Sequence, residues 1–497
     1  MGTRQAGVLL PVFSLPSSGG IGTMGRTARR FIDLLAQSGQ RIWQILPLCP
    51  PDYSGSPYSS HSAHAGNPLF IDMDLLVEQG LLDSADVSSV DWGTDQTKVS
   101  YTPVTAAVEA LLRLAYERCP QLSENREFLS FLTRNTWVED YALFMALKKH
   151  YNGKPWYCWE QGVRDRNEAA LEALRTPLAS EIEFHQFTQW IFDSQWESLH
   201  AYANAHGIQI LGDIPIYVSL DSVDTWVNPE LFQLGEDKKP QNVAGVPPDG
   251  FSATGQIWGN PLYDWPSHRS EGYSWWKHRI AQQLNRVDLL RIDHFRGLES
   301  YFSVPATATS AAAGHWEPGP KQEFFRTLEN HFGTLPFILE DLGYLTDAVK
   351  QLKDDTCLPG IQLIQFAFDS REPTDYWPYE MPKNSVVYTG THDNDTVRGW
   401  FSSLSAADQK VARRYTSSME TAEANLPDVF VTLAMTSVAD TCIIPLADYL
   451  RLGSDARINV PSKTGGNWQW RLSSAQLEQV PWEEIFELTR IAGRCPV

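Results

Sequence analysis

The sequence predicts an α/β fold: a (β/α)8 barrel, or TIM barrel, with large, mainly helical insertions between strands and no C-terminal β-sandwich domain. Three observations carry the prediction. Eight short apolar runs recur along the chain, with helical pattern between most of them. Four of these runs end in an acid, Asp213, Asp293, Glu340 or Asp393, and a parallel barrel gathers its strand ends at one catalytic rim. A length of 497 residues suits one large barrel with insertions.

In chain order, the first strand falls at 7–13, followed by a Gly/Ser loop and a helix from about Thr27 that stops at Gly39. The second strand is 42–48. The loop after it, 49–67, is dense in Pro, Gly, Ser, Tyr and His and includes Ser56-Pro57-Tyr58; loops of this length in compact domains usually carry function. From 73 to 207 helical pattern replaces strand pattern, giving a helical insertion subdomain between strands two and three. Its aromatic residues between 181 and 206, among them Phe184, Phe187, Trp190, Phe192 and Trp196, recur at helical spacing and read as packing. The third strand is 208–216. The segment 219–285, rich in Pro, Gly and Trp, reads as an irregular insertion over the active site. The fourth strand opens at Val287, and the remaining four fall at 337–341, 360–368, 385–393 and 442–446. Too little chain follows Pro445 to build a sandwich, so 1–497 reads as a single catalytic barrel.

Composition excludes several classes of partner. A formal net charge of −20 opposes binding to nucleic acid or to an anionic membrane surface, both of which need a basic patch. A neutral substrate is compatible with it. Aromatic content reaches 12%, with 18 Trp and 18 Tyr; such rings serve as core or as platforms for the flat faces of sugars. The six cysteines are scattered, without a close-spaced metal or redox pair, and read as reduced. The first apolar run is short and broken by Pro11, so neither signal peptide nor membrane span is expected and the cytoplasm is the expected compartment.

The fourth strand holds the densest chemistry. Arg291 and Asp293 are two apart and share one face of a strand. A guanidinium beside a carboxylate keeps it ionised, as a nucleophile requires; the same pair could also merely fix a strand end. Several acids at one rim favour chemistry over stability. Acetal cleavage needs a carboxylate nucleophile and a carboxylic acid to protonate the departing oxygen. A metal-dependent barrel hydrolase would need converging histidines, whereas His61 and His64 stand in a loop and no strand ends in His-x-His. Neither metal nor cofactor is expected.

The motifs point further. Gly66-Asn67-Pro68, Gly212-Asp213-Ile214-Pro215-Ile216-Tyr217, Asp221-Ser222-Val223-Asp224-Thr225-Trp226 and Pro247-Pro248-Asp249-Gly250-Phe251-Ser252 occur in order. Gly255-Gln256-Ile257-Trp258-Gly259-Asn260-Pro261, Arg291-Ile292-Asp293-His294, Glu340-Asp341-Leu342-Gly343, Gly390-Thr391-His392-Asp393-Asn394-Asp395-Thr396 and Gly466-Asn467-Trp468 follow. Together they resemble the 4-alpha-glucanotransferases, called amylomaltase or disproportionating enzyme, of the α-amylase clan. The resemblance runs almost end to end.

It implies a transferase moving α-1,4-glucan segments from a donor to the 4-hydroxyl of glucose or another glucan. The implied mechanism is a retaining double displacement through a covalent glycosyl-enzyme. By the resemblance Asp293 is the nucleophile, Glu340 the general acid/base and Asp393 the transition-state-stabilising carboxylate. Asp213, Arg291, His294 and His392 support them, and Tyr58, Phe251, Gln256 and Trp258 line the substrate. Choosing Glu340 over Asp341 rests on the resemblance, since alternation says only that the two face opposite ways. Asp395 reads as a helix-start carboxylate rather than a catalytic one. Tyr53 and Tyr101 correspond to a remote glucan contact. Residues 459–465, Asn-Val-Pro-Ser-Lys-Thr-Gly, depart from the family's Asn-x-Pro-Gly-Thr. The competing readings are a plain α-glucan hydrolase and a non-enzymatic glucan-binding protein.

Overall fold

The computed structural model describes residues 4–52, 55–248, 254–343, 345–370, 376–461, 463 and 465–495. Twelve strands occur among them. β1 (Gln5–Leu9), β2 (Ile42–Gln44), β3 (Gln209–Ile214), β6 (Leu289–Ile292), β9 (Phe337–Leu339), β10 (Gly360–Leu363), β11 (Ser385–Tyr388) and β12 (Thr441–Pro445) close a parallel barrel in the order β1-β12-β11-β10-β9-β6-β3-β2. These are the eight expected runs. Each is almost wholly buried, because helices cover a parallel barrel outside and side chains fill it inside. Close approach has a sequence cost: a Cβ on Gly7 of β1 would sit 2.6 Å from the Ile42 carbonyl oxygen and Cβ of β2, so only glycine fits.

The expected helical stretch carries eight α-helices between Met73 and Ala205. The longest, Ala179–Ala205, buries Phe184, Phe187, Phe192 and Trp196. The Trp196 indole donates to the Arg286 carbonyl at 2.9 Å, so these rings pack the helix onto the barrel. A second core of Tyr141, Phe144, Leu147, Trp156, Trp159 and Trp226 joins the helices to the chain after β3. The Asp221–Trp226 motif is the joint. Asp221 receives the buried Lys148 ammonium at 2.6 Å and the Trp156 amide at 3.1 Å. Asp224 receives the Ala63 amide at 2.8 Å and Trp226 donates to the Val163 carbonyl at 3.1 Å.

The segment expected to be irregular instead holds order. β4 (Asn242–Val246) and β5 (Gln256–Pro261) lie within it and join β7 (Ser300–Pro305) and β8 (His315–Pro318) in an antiparallel sheet, β5-β4-β7-β8. Gly, Pro and Asn, residues depleted in strands, mask this sheet in the sequence. A small core of Val243, Phe302, Val304 and Ala311 holds it together. After β12 the elements are helical.

Candidate active site

β3, β6 and β9 are consecutive in the barrel, with Asp213 paired to Arg291 and Ile292 to Leu339. The next residues along β6 and β9 are Asp293 and Glu340, side by side. Neighbouring strands are about 4.8 Å apart, so the barrel itself fixes the separation of the two backbones.

Arg291 is buried and its Nη1 reaches three carboxylate oxygens: Asp213 Oδ1 at 2.9 Å, Asp213 Oδ2 at 2.7 Å and Asp293 Oδ1 at 2.9 Å. The Tyr58 hydroxyl donates to Asp213 Oδ2 at 2.8 Å. Burial pushes the Asp213 carboxyl up and the guanidinium opposes it. Arg291 is itself held far above its usual range by these acids, which outweigh burial, so it remains a fixed cation beside Asp293.

Glu340 is treated differently. Burial pushes it up to about 8, the neighbouring Asp293 charge adds to that rise, and Arg291 partly offsets it. Its Oε2 accepts the His294 amide at 2.7 Å and its Oε1 the Leu342 amide at 3.2 Å. His294 has a φ of 51°; this left-handed step directly after Asp293, uncommon outside glycine, aims its N–H at the acid. Asp341 points away, receiving Lys353 Nζ at 2.8 Å and the Ile361 amide at 2.7 Å. The geometry therefore singles out Glu340 at the rim.

Asp393 lies past the end of β11. Its Oδ1 accepts Asn459 Nδ2 at 2.6 Å, and its carbonyl accepts Arg457 Nη2 at 2.7 Å. Asp395 accepts the Thr396 amide at 2.8 Å and the Ser454 hydroxyl at 2.7 Å, at the start of the helix Val397–Ser403; it acts as a structural carboxylate there. His392 stacks on Tyr58 with ring centroids 5.3 Å apart and planes 13° apart, and Trp468 lies 5.7 Å from Tyr58. On the other wall Trp258 meets His294 edge-on at 4.8 Å and donates to Gln256 Oε1 at 3.1 Å. Burial pushes His294 down to about 4 and lowers His392, so both imidazoles are neutral at pH 7. His294 Nε2 and His392 Nδ1 are buried without a hydrogen-bond partner among the described residues.

The structure thus brings together Tyr58, Asp213, Arg291, Asp293, His294, Glu340, His392 and Asp393, with Gln256 and Trp258 on the facing wall. Phe251 and Tyr53 lie outside the described residues. The Tyr101 hydroxyl donates to the Trp468 carbonyl at 2.7 Å, which ties it to the aromatic wall rather than leaving it free. Sequence reasoning named Asn459 only within the departing 459–465 stretch and Trp468 only within a motif, and it did not single out Arg457. A Trp at a φ of 62° after Gly465 and Gly466, both also at positive φ, is a strained arrangement, and the Gly466-Asn467-Trp468 motif was its only signal. Among the described residues no helix is long and apolar enough to cross a membrane.

Comparison with known proteins decides the family. The family model for 4-alpha-glucanotransferase matches residues 10–477. The chain belongs to the 4-alpha-glucanotransferase family. It is 43% identical to the 4-alpha-glucanotransferase of Streptococcus pneumoniae serotype 4, over 99% of this chain and 98% of that protein. The 4-alpha-glucanotransferase of Thermus thermophilus is also 43% identical, over 95% of this chain and 96% of its own. The solved amylomaltase from Streptococcus agalactiae in complex with acarbose superposes with a TM-score of 0.96 at 37% identity, covering 99% of this chain and all of that one. The chain is accordingly an enzyme of the glucanotransferase class.

Proposed function

We propose that this glucanotransferase moves α-1,4-glucan segments from a malto-oligosaccharide donor to the 4-hydroxyl of glucose or another glucan, with retention. Asp293 attacks the anomeric carbon while Glu340 gives its proton to the departing 4-oxygen, and the leaving glucan carries that proton away. Glu340, now a carboxylate, takes the proton of the incoming 4-hydroxyl, whose oxygen attacks the same carbon and breaks the ester to Asp293. No water enters and the acid is restored. Asp393 stabilises the cationic transition state, His294 and His392 hold sugar hydroxyls, and Tyr58, Phe251, Gln256 and Trp258 line the subsites.

One observation carries the reading: adjacent strand ends bear two carboxyl groups in opposed environments. Arg291 bonds the first at 2.9 Å and burial raises the second to about 8, the division of labour that glycosyl transfer by two carboxyl groups requires. Six free cysteines support a reducing, cytoplasmic location.

The test uses a donor that needs no acid. With α-maltotriosyl fluoride, a Glu340→Gln variant accumulates a maltotriosyl ester on the peptide containing Asp293, read by peptide mass spectrometry. An adduct on another residue, or rapid turnover without any adduct, overturns the assignment.

A further inference from the structure

The segment after β12 reaches back across the rim and grips the end of β11. Asn459 bonds twice: its amide donates to the His392 carbonyl at 3.1 Å and its side chain to Asp393 Oδ1 at 2.6 Å. Arg457 braces the Asn459–Asp393 pair, donating through Nη2 to the Asp393 carbonyl at 2.7 Å and through Nε to the Asn459 carbonyl at 2.7 Å. Beyond Asn459 the loop is closed by Asn467, whose Oδ1 accepts the Val460 amide at 3.0 Å and whose Nδ2 donates to the Val460 and Lys463 carbonyls at 3.3 and 2.9 Å. The next residue, Trp468, stands beside Tyr58 and His392.

We infer that Asn459 is a positioning residue for the reaction, orienting Asp393 through its side-chain amide. Two features require such a device. Asp393 lies past its strand, with its side chain 41% exposed, so the barrel alone does not fix its rotamer. An ionised carboxylate has two equivalent oxygens, and a charge-assisted bond to one of them leaves the other with a defined direction. Asn459 also holds the His392 carbonyl at 3.1 Å, which fixes the backbone on the other side of Asp393.

The inference rests on the proposed role of Asp393, so the test includes Asp393→Asn. Asn459→Ala removes the donor, and the nearly isosteric Asn459→Asp keeps the shape while replacing the donor by a repelling oxygen. Both are assayed by maltotriose disproportionation, with thermal midpoints recorded. The expected result is a fall in kcat of about ten- to a hundredfold, the usual effect of losing a supporting bond behind a functional ligand, with KM within a few-fold. On the Asp393→Asn background, Asn459→Ala costs little more, since the two act as one unit. Wild-type kcat in folded Asn459→Ala overturns the inference, as does a change confined to KM, which makes Asn459 an acceptor contact. Full activity of Asp393→Asn overturns instead the role given to Asp393. If Asn459→Ala melts at assay temperature, the folded Asn459→Asp protein carries the same comparison, and wild-type kcat there overturns the inference equally.

Discussion

Arg291 does the most work for its size. One guanidinium nitrogen bonds Asp213 and Asp293, while burial raises Glu340 to about 8 against the opposing pull of Arg291. The sign of the consequence is fixed. In the proposed mechanism the first step needs protonated Glu340, so transfer should be sustained below about pH 8 and should fall as pH rises through it. A pH profile of kcat/KM on maltotriose should show this alkaline limb, and a donor with a fluoride leaving group, which needs no proton, should show it weakened in the glycosylation step. A limb at pH 5 would contradict the raised Glu340. At this scale the sequence was informative wherever partners are close in the chain: Arg291 and Asp293 sit two apart on a strand, and period-two alternation suffices. Asn459 was not legible, because its partner Asp393 lies 66 positions away and only the barrel brings them together.

At the scale of elements, the barrel strands were legible because burial on both faces leaves unbroken apolar runs. The β5-β4-β7-β8 sheet was not: its strands read NVAGV, QIWGNP, SYFSVP and HWEP, short and interrupted by Gly and Pro, with long-range antiparallel pairing and a register shift between Val243 and Gly245. That sheet carries Trp258, so the wall facing the acids depends on the part of the fold least visible in the sequence. The Asp221–Trp226 motif, by contrast, stands out in the sequence and is structural in the fold. Its Lys148–Asp221 pair is almost buried on the lysine side. Removing one partner strands a carboxylate, so Lys148→Met should lower unfolding free energy by about 3 kcal/mol, read by urea denaturation. Arg26→Met, at a solvent-exposed pair with Glu78, should leave the midpoint unmoved. Equal effects from the two would contradict the brace.

The whole molecule is an acidic enzyme of net charge −20 whose substrate class is neutral, so its binding energy comes from rings and neutral donors rather than long-range attraction. Tyr58, His392 and Trp468 form one aromatic wall and Trp258 with His294 the other. Such walls favour a second sugar over water at the glycosyl-enzyme, because a bound acceptor fills the space that water would occupy. The measurement that tests this most directly is incubation with maltotriose alone, following both the oligosaccharide ladder and total reducing ends. Transfer predicts glucose together with longer oligosaccharides while the reducing-end count stays constant. Reducing ends that rise in step with maltotriose consumption would contradict it.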